Sequence, residues 1–469
     1  MTFNQKYLFW FANENVNFRR PEVESILVLF SIEVKWIERS EESPFWVALL
    51  KSDDDAFQIA SRSVTLRSII KLWGSGDTLH ALHTDIKSHP RDVIETCLDT
   101  HNSFSVQVET FNKSLTMKEK VEKIELFNYL PAKGPIRLQD PDVRLYYIED
   151  YGLEANSIPE LPYKLYFGVW LCNGQRELIN KYSIKKRKFI GNTTMDPQLS
   201  FLMANQALVK KGDIVMDPFV GTGSLLVAAG NFGAYVMGTD IDYLMLHGKT
   251  RPSRIQERHK PRAKDENIYA NMKQYGIESQ YIDVVIGDSS LPLWHSQLEL
   301  DSIITDPPYG IREATERIGT TKNYKISDEH LETHIPSKIE YGLTQMYKDL
   351  LSFAANHLKL GGRLVSWIPV YKEDYDESKL PSHPCLTLIA NSEQVLTGHT
   401  SRRLLTWEKH KEVESSCGPT VPEMFPSGFR QHYFGHGETR KQRRARLAQE
   451  NGLKDFSKVH ENESCVVKR

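Results

Sequence analysis

Two adjacent prolines, Pro307 and Pro308, follow a short apolar run at residues 302–305. Neither has an amide hydrogen for a sheet ladder, so a buried strand must end there. The result is a stiff loop, Asp306-Pro307-Pro308-Tyr309 with Gly310 behind it, at a strand's C-terminal end. It offers a carboxylate, a main-chain carbonyl and an aromatic ring at one place. With proline near 5% of residues, a polar-Pro-Pro-aromatic string should arise in roughly one or two chains per hundred of this length. Alone, the loop reads equally as a rigid turn after a strand or as a functional motif. The residues about 90 positions upstream change that balance.

Residues 213–217 read as another short strand, followed by Pro218-Phe219-Val220-Gly221-Thr222-Gly223. Gly221 and Gly223 permit a tight turn and close approach of a ligand to the backbone. Ser224-Leu225-Leu226-Val227-Ala228-Ala229 then starts a helix. Strand, glycine loop and helix make a nucleotide-binding unit, so an α/β, Rossmann-like sheet is expected. Leu226 stands where the dinucleotide fingerprint has its third glycine. An acid beside the loop, Asp217, repels phosphates but welcomes a sulfonium or an amino group. A strand over 234–239 ends in Asp240, the usual place of a ribose hydroxyl acceptor. Another over 281–286 ends in Gly287-Asp288-Ser289, placed to contact an adenine amine. Each acid alone is an ordinary loop residue. Four in series at strand C-termini mark the edge where open α/β sheets bind ligands. The expected cofactor residues are Asp217, Pro218, Phe219, Gly221, Gly223, Asp240, Asp288 and Ser289.

The Asp306 loop suits one kind of reaction beside such a pocket. An exocyclic amine of guanine, adenine or cytosine shares its lone pair with the ring and is a poor nucleophile. Two acceptors, the Asp306 carboxylate and the Pro307 carbonyl, can align it with a methyl donor and take up positive charge as it forms. Tyr309 can stack on the base. Residues 213–310 resemble an S-adenosylmethionine-dependent amino-methyltransferase of the Rossmann-like class.

From about 100 to 410 the chain is similar to the catalytic subunit of the eukaryotic and archaeal tRNA (guanine-N2-)-methyltransferases that act on guanosine 10. The likeness rests on Glu109-Thr110-Phe111-Asn112-Lys113-Ser114-Leu115-Thr116, Tyr146-Tyr147-Ile148-Glu149-Asp150-Tyr151-Gly152 and Tyr166-Phe167-Gly168. It continues through residues 181–196, which include Gly191-Asn192-Thr193-Thr194-Met195-Asp196, and Met203-Ala204-Asn205-Gln206-Ala207. The resemblance implies S-adenosylmethionine as cofactor and tRNA as substrate. It implies a THUMP domain, an RNA-binding module, in the N-terminal half. It gives the catalytic place to Asp306, Pro307, Pro308 and Tyr309. It also implies a heterodimer with a small zinc-binding methyltransferase activator subunit. The motif alone leaves open adenine N6, or guanine N2 of rRNA or snRNA, and a non-catalytic RNA-binding scaffold. A dehydrogenase is the weakest reading, given Leu226 and Asp217.

A chain of 469 residues should hold two or three domains. We divide it into an α+β region with the THUMP-like domain at 1–175, a basic linker at 176–195, the methyltransferase domain at 196–410, and a polar tail at 411–469, extended or partly disordered. No apolar run reaches membrane-span length, and no signal peptide is visible. Five scattered cysteines, Cys97, Cys172, Cys385, Cys417 and Cys465, include no Cys-x-x-Cys pair. That argues against a zinc site and a disulfide framework, and for a reducing, cytoplasmic setting, and no metal is expected.

Net charge is −2, and residues 1–150 hold 18 Lys/Arg against 23 Asp/Glu. RNA contact must then come from local patches or a partner. Lys181, Lys185, Lys186, Arg187 and Lys188 form one such patch, equally readable as a solvated linker. Residues 440–446 form another, and charged insertions occupy 249–266 and 311–337. Helices are expected over 56–72, 197–209 and 339–358, the last capped by Gly361-Gly362, with a break at Gly74-Ser75-Gly76. Strands over 363–370, 385–390 and 402–407 should close the sheet with a hairpin.

Overall fold

The computed structural model describes residue 3 and residues 5–249, 266–310, 313–321, 336–414 and 417–423. Most of the 249–266 insertion, part of the 311–337 insertion, the 440–446 patch and the tail from 424 onward lie outside the described residues. The N-terminal half runs β1 (Gln5–Phe11), α1 (Arg19–Phe30), β2 (Lys35–Glu38), β3 (Phe45–Leu50), α2 (Asp53–Ala60), β4 (Leu66–Gly76), α3 (Leu79–Ser88), α4 (Arg91–Cys97), β5 (Phe104–Phe111), α5 (Met117–Glu125), β6 (Val143–Asp150) and β7 (Lys164–Asn173). These seven strands form one sheet, ordered β2-β3-β1-β4-β7-β6-β5.

After α6 (Glu177–Lys181) come α7 (Pro197–Gln206), β8 (Ile214–Asp217), α8 (Ser224–Asn231), β9 (Tyr235–Asp240), α9 (Tyr243–Leu246), α10 (Ile268–Gln274), β10 (Tyr281–Ile286) and β11 (Leu300–Thr305). The chain closes with β12 (Glu316–Ile318), β13 (Lys338–Glu340), α11 (Leu343–His357), β14 (Leu358–Tyr371), β15 (Leu386–Val395) and β16 (Thr400–Lys409). The second seven-stranded sheet is ordered β10-β9-β8-β11-β14-β16-β15. Its first five strands are parallel, and β16 joins antiparallel with the β15–β16 hairpin at the edge. This is the expected Rossmann-like sheet with its closing hairpin. Strand order reverses between β8 and β11, so a crevice opens at their C-terminal ends.

The two halves share a core. Phe18 and Val64 from the N-terminal half pack in one cluster with Phe201, Leu202, Trp367 and Leu404. Around that cluster lies a buried polar seam. The Glu22 carboxylate on α1 accepts from the Val64 and Thr65 amides at 2.8 and 3.1 Å, and from Asn205 Nδ2 of α7 at 2.8 Å. Arg62 donates to Asn205 Oδ1 at 3.0 Å and lies over the Phe232 ring. Arg363 on β14 donates to Ser25 Oγ and to the Gln206 carbonyl.

This seam explains one local departure from expectation, and the structure shows others beside it. The helix expected over 56–72 stops at Ala60, and residues 66–76 form β4, Gly74-Ser75-Gly76 included. The Glu22 carboxylate draws in the amides of Val64 and Thr65, and the following Ile69 and Ile70 suit a pleated strand. The apolar residues Ile26 and Leu27 lie in α1 and, with Val23, pack into the N-terminal core. Gly361 and Gly362 sit inside β14 instead of capping α11. Residues 417–421 pack back on the domain, with Val421 buried and Thr420 bridging to Ser382, so the tail begins later than 411. No helix among the described residues is long and apolar enough to cross a membrane.

Candidate active site

The C-terminal ends of β8, β9 and β11 and the loop after β10 surround a cavity of about 580 Å³. Each wall is a loop that its strand cannot continue. Asp217 ends β8 and is 1% exposed. Its Oδ1 accepts from Thr305 Oγ1 at 2.7 Å and from the Phe219 amide at 3.0 Å. The carboxylate thus joins the ends of β8 and β11 across the strand-order reversal. Burial pushes it up to about 7, and Asp240 and Asp306 add like charge.

Asp240, at the end of β9, is raised by burial as well. Its two oxygens accept from the Gly221 and Asp242 amides at 2.9 and 2.8 Å, which fixes the glycine loop. Gly221 lines the cavity with φ +51°, and an added Cβ would meet nothing within 4 Å. Asp288 accepts from the Ser290 and Ile318 amides at 2.8 and 2.6 Å, and Ser289 donates to the Pro218 carbonyl at 2.6 Å. Pro218 lies behind the wall, while Phe219 faces the cavity.

Gly223 departs from its expected role. Its φ is +77°, and an added Cβ would lie 2.7 Å from Ile268 of α10. The residue allows α8 and α10 to pack and makes no part of the cavity wall.

Asp306, Pro307, Pro308 and Tyr309 stand on the opposite wall of the same cavity. Asp306 Oδ2 accepts from Arg402 at 3.0 Å, and Oδ1 accepts from the Tyr309 hydroxyl. Burial raises Asp306, and the Arg402 charge opposes that rise. Asp196, Asp242, Glu313 and Glu316 also line the space, against the cations Lys338 and Arg402 among the described residues. So acidic a wall favours a cationic ligand over a phosphate. The glycine loop, the fixed Asp240 carboxylate and the volume fit S-adenosylmethionine.

Residues 5–176 match the family described as Tmrp11 THUMP N-terminal domain, and residues 185–325 match the RMKL-like methyltransferase domain. The tRNA (guanine(10)-N(2))-methyltransferase TRMT11 of Bos taurus is 48% identical over 412 residues, covering 87% of this chain and 89% of the relative. The Xenopus laevis protein of that name is 43% identical over 468 residues, covering 98% of each chain. The chain belongs to the tRNA (guanine(10)-N(2))-methyltransferase family.

Within this methyltransferase the basic linker divides. Lys181, Lys185, Lys186 and Lys188 are exposed, but Arg187 is buried. Its guanidinium donates to Ser224 Oγ at 2.6 Å and to the Tyr182 carbonyl at 3.2 Å, pinning the linker to the start of α8. Arg187 therefore does not face RNA. Sequence reasoning also missed wall residues. Thr193, Thr194, Met195 and Asp196 line the cavity, although the strings 181–196 that carried the resemblance contain them. Gln394 and Arg402 sit in strands whose pattern signals only a sheet.

Proposed function

We propose that the cavity is the site of methyl transfer from S-adenosylmethionine to the exocyclic N2 amine of a tRNA guanosine, position 10 in the family. The observation that carries this reading is that Asp306 and Pro307 share one acidic cavity with the glycine loop and Asp240. The cofactor supplies an electrophilic methyl group on a sulfonium. The protein's residues hold, orient and deprotonate.

The target base leaves its stack and displaces the Tyr309 hydroxyl from Asp306. Tyr309 then stacks on the base. Asp306 and the Pro307 carbonyl accept the two amine hydrogens, which directs the nitrogen lone pair at the methyl carbon. The amine nitrogen that accepts the methyl group from the sulfonium would become cationic. Asp306 stabilises that charge and takes the proton, or passes it to water.

The exposed Lys181, Lys185, Lys186 and Lys188 are suited to tRNA phosphates. A small zinc-binding activator subunit would complete the enzyme. The β10 edge of the second sheet supports this, because Ile282, Val285 and Ile286 are each nearly half exposed on a strand paired only with β9 among the described strands. The scattered cysteines, the four among the described residues being free, suit a reducing cytoplasm.

The test is nucleoside mass spectrometry of unmodified tRNA incubated with the purified protein, the activator and methyl-labelled cofactor. N2-methylguanosine carrying the label supports the reading. Label on adenosine, or no transfer with both components folded and present, overturns it.

A further inference from the structure

The Asp306 carboxylate is held from outside its own loop. Arg402 reaches it from β16, two strands away in the sheet. Three contacts fix the guanidinium. Nη1 donates to Asp306 Oδ2 at 3.0 Å, and Nε donates to Gln394 Oε1 at 2.8 Å. The guanidinium carbon also lies 4.0 Å from the centre of the Trp367 ring. Gln394 is the cross-strand neighbour of Arg402 in the β15–β16 hairpin, so the clamp is built into the strand register.

We propose that Arg402 is a positioning residue for methyl transfer: it keeps the Asp306 carboxylate ionised and occupies Oδ2, so that Oδ1 is the oxygen offered to the target amine. The inference rests on reading Asp306 as the amine acceptor.

The surroundings of Asp306 require such a group. Tyr309 of its own loop donates to Oδ1. Asp217 of β8 is an acid close enough for mutual repulsion. Tyr347 of α11 is a phenol whose hydroxyl is committed to the Trp367 carbonyl at 2.7 Å. Arg402 alone among these groups brings positive charge. Burial and Asp217 both favour the neutral acid, and a protonated Asp306 would be a weak acceptor for an amine that is becoming cationic. A rigid fork also removes the rotation that would otherwise share the amine between two oxygens. Lysine could supply the charge, but neither the ring stacking nor the Gln394 contact made through Nε.

The experiment is the pH profile of single-turnover transfer for wild type, Arg402→Gln and Arg402→Lys, with cofactor affinity measured by calorimetry. Wild type should keep its acid limb lower than either variant, because Arg402 opposes the rise that burial imposes on Asp306. In Arg402→Gln the limb should move up by one pH unit or more, with the rate climbing about tenfold per unit below it. Cofactor affinity should change far less than the transfer rate, and Arg402→Lys should place the limb between the two. If the glutamine variant does not fold, the lysine variant carries the test by a smaller shift of the limb in the same direction.

A second arm uses Asp306→Asn, whose side chain has no charge to protect. There Arg402→Gln should cost no more than about twofold, well short of additivity. A pH-independent loss, an unmoved limb or additive losses in the Asp306→Asn background would overturn the proposal. Full transfer by Asp306→Ala would instead remove the underlying reading of Asp306.

Discussion

Thr305 donates its hydroxyl to Asp217 at 2.7 Å, linking the ends of two neighbouring strands whose connections run to opposite arms of the sheet. The bond works against burial, which pushes Asp217 up to about 7. A raised carboxyl contributes stability that is full below its unfolded value and is lost as pH rises through about 7. A sulfonium and an ammonium favour the ionised form. We therefore expect cofactor affinity to rise from pH 6 to pH 8, with proton release near pH 7. Thr305→Val should move that rise to higher pH. Calorimetry in buffers of different ionisation heat measures both. A pH-independent affinity for S-adenosylmethionine would count against Asp217 as the sensing group.

Asp306→Ala should abolish transfer and leave cofactor binding intact. Losing one positioned charge acceptor costs about 3 kcal/mol or more in the barrier, by analogy with an oxyanion-hole donor. Single-turnover rates and calorimetry on the same preparation decide it. Activity close to wild type would end the assignment.

Gly223→Val should act through folding. The new side chain meets Ile268 and must adopt a left-handed backbone. We expect a lower melting temperature, partly recovered by Ile268→Ala. Asp240→Ala should instead weaken cofactor binding, because it frees the Gly221 amide and loosens the loop. Thermal melts and calorimetry separate the two effects. Equal loss of affinity without loss of stability in Gly223→Val would restore that residue to the cofactor wall.

Changing Lys181, Lys185, Lys186 and Lys188 to glutamine, with Arg187 spared, should weaken tRNA binding and flatten its salt dependence. Each lost phosphate contact removes about 0.7–0.9 units of slope. Arg187→Gln should leave that slope alone and destabilise the start of α8, where Ser224 would lose its partner. Filter binding at several salt concentrations reads the first effect and melting the second. Parallel salt lines for the quadruple variant would mean a merely solvated linker.

Glu22→Ala should cost on the order of 3 kcal/mol or more, since it strands the buried Val64 and Thr65 amides and Asn205. We expect urea unfolding to stay a single transition, because the seam couples both halves. Two separate transitions would show that the halves fold independently.

The parallel sheet was legible because its strands end in residues that cannot continue them. Pro307 and Pro308 cannot donate, and Gly221 turns the chain. The acids behind these stops could be placed for the same reason. Arg402 left no comparable mark, because a cation in an alternating strand looks like any solvent-facing residue. Its partner Asp306 is 96 positions away. Arg187 misled for the converse reason: its neighbours are all exposed lysines, and burial of one member of a charge run depends on Ser224 across the fold. The end of α2 was hidden likewise, since the carboxylate that draws in the following amides belongs to Glu22 on another helix.

The seam sets an order on synthesis. Ser25 emerges from the ribosome early, and its partner Arg363 follows 338 positions later. At 5–20 residues per second that is a wait of roughly 17 to 70 s. For that interval Phe18 and Val64 lack Trp367 and Leu404, the last members of the cluster they close against. The nascent N-terminal half is therefore a natural client for holding chaperones, and the enzyme can mature only once its last strands have been made.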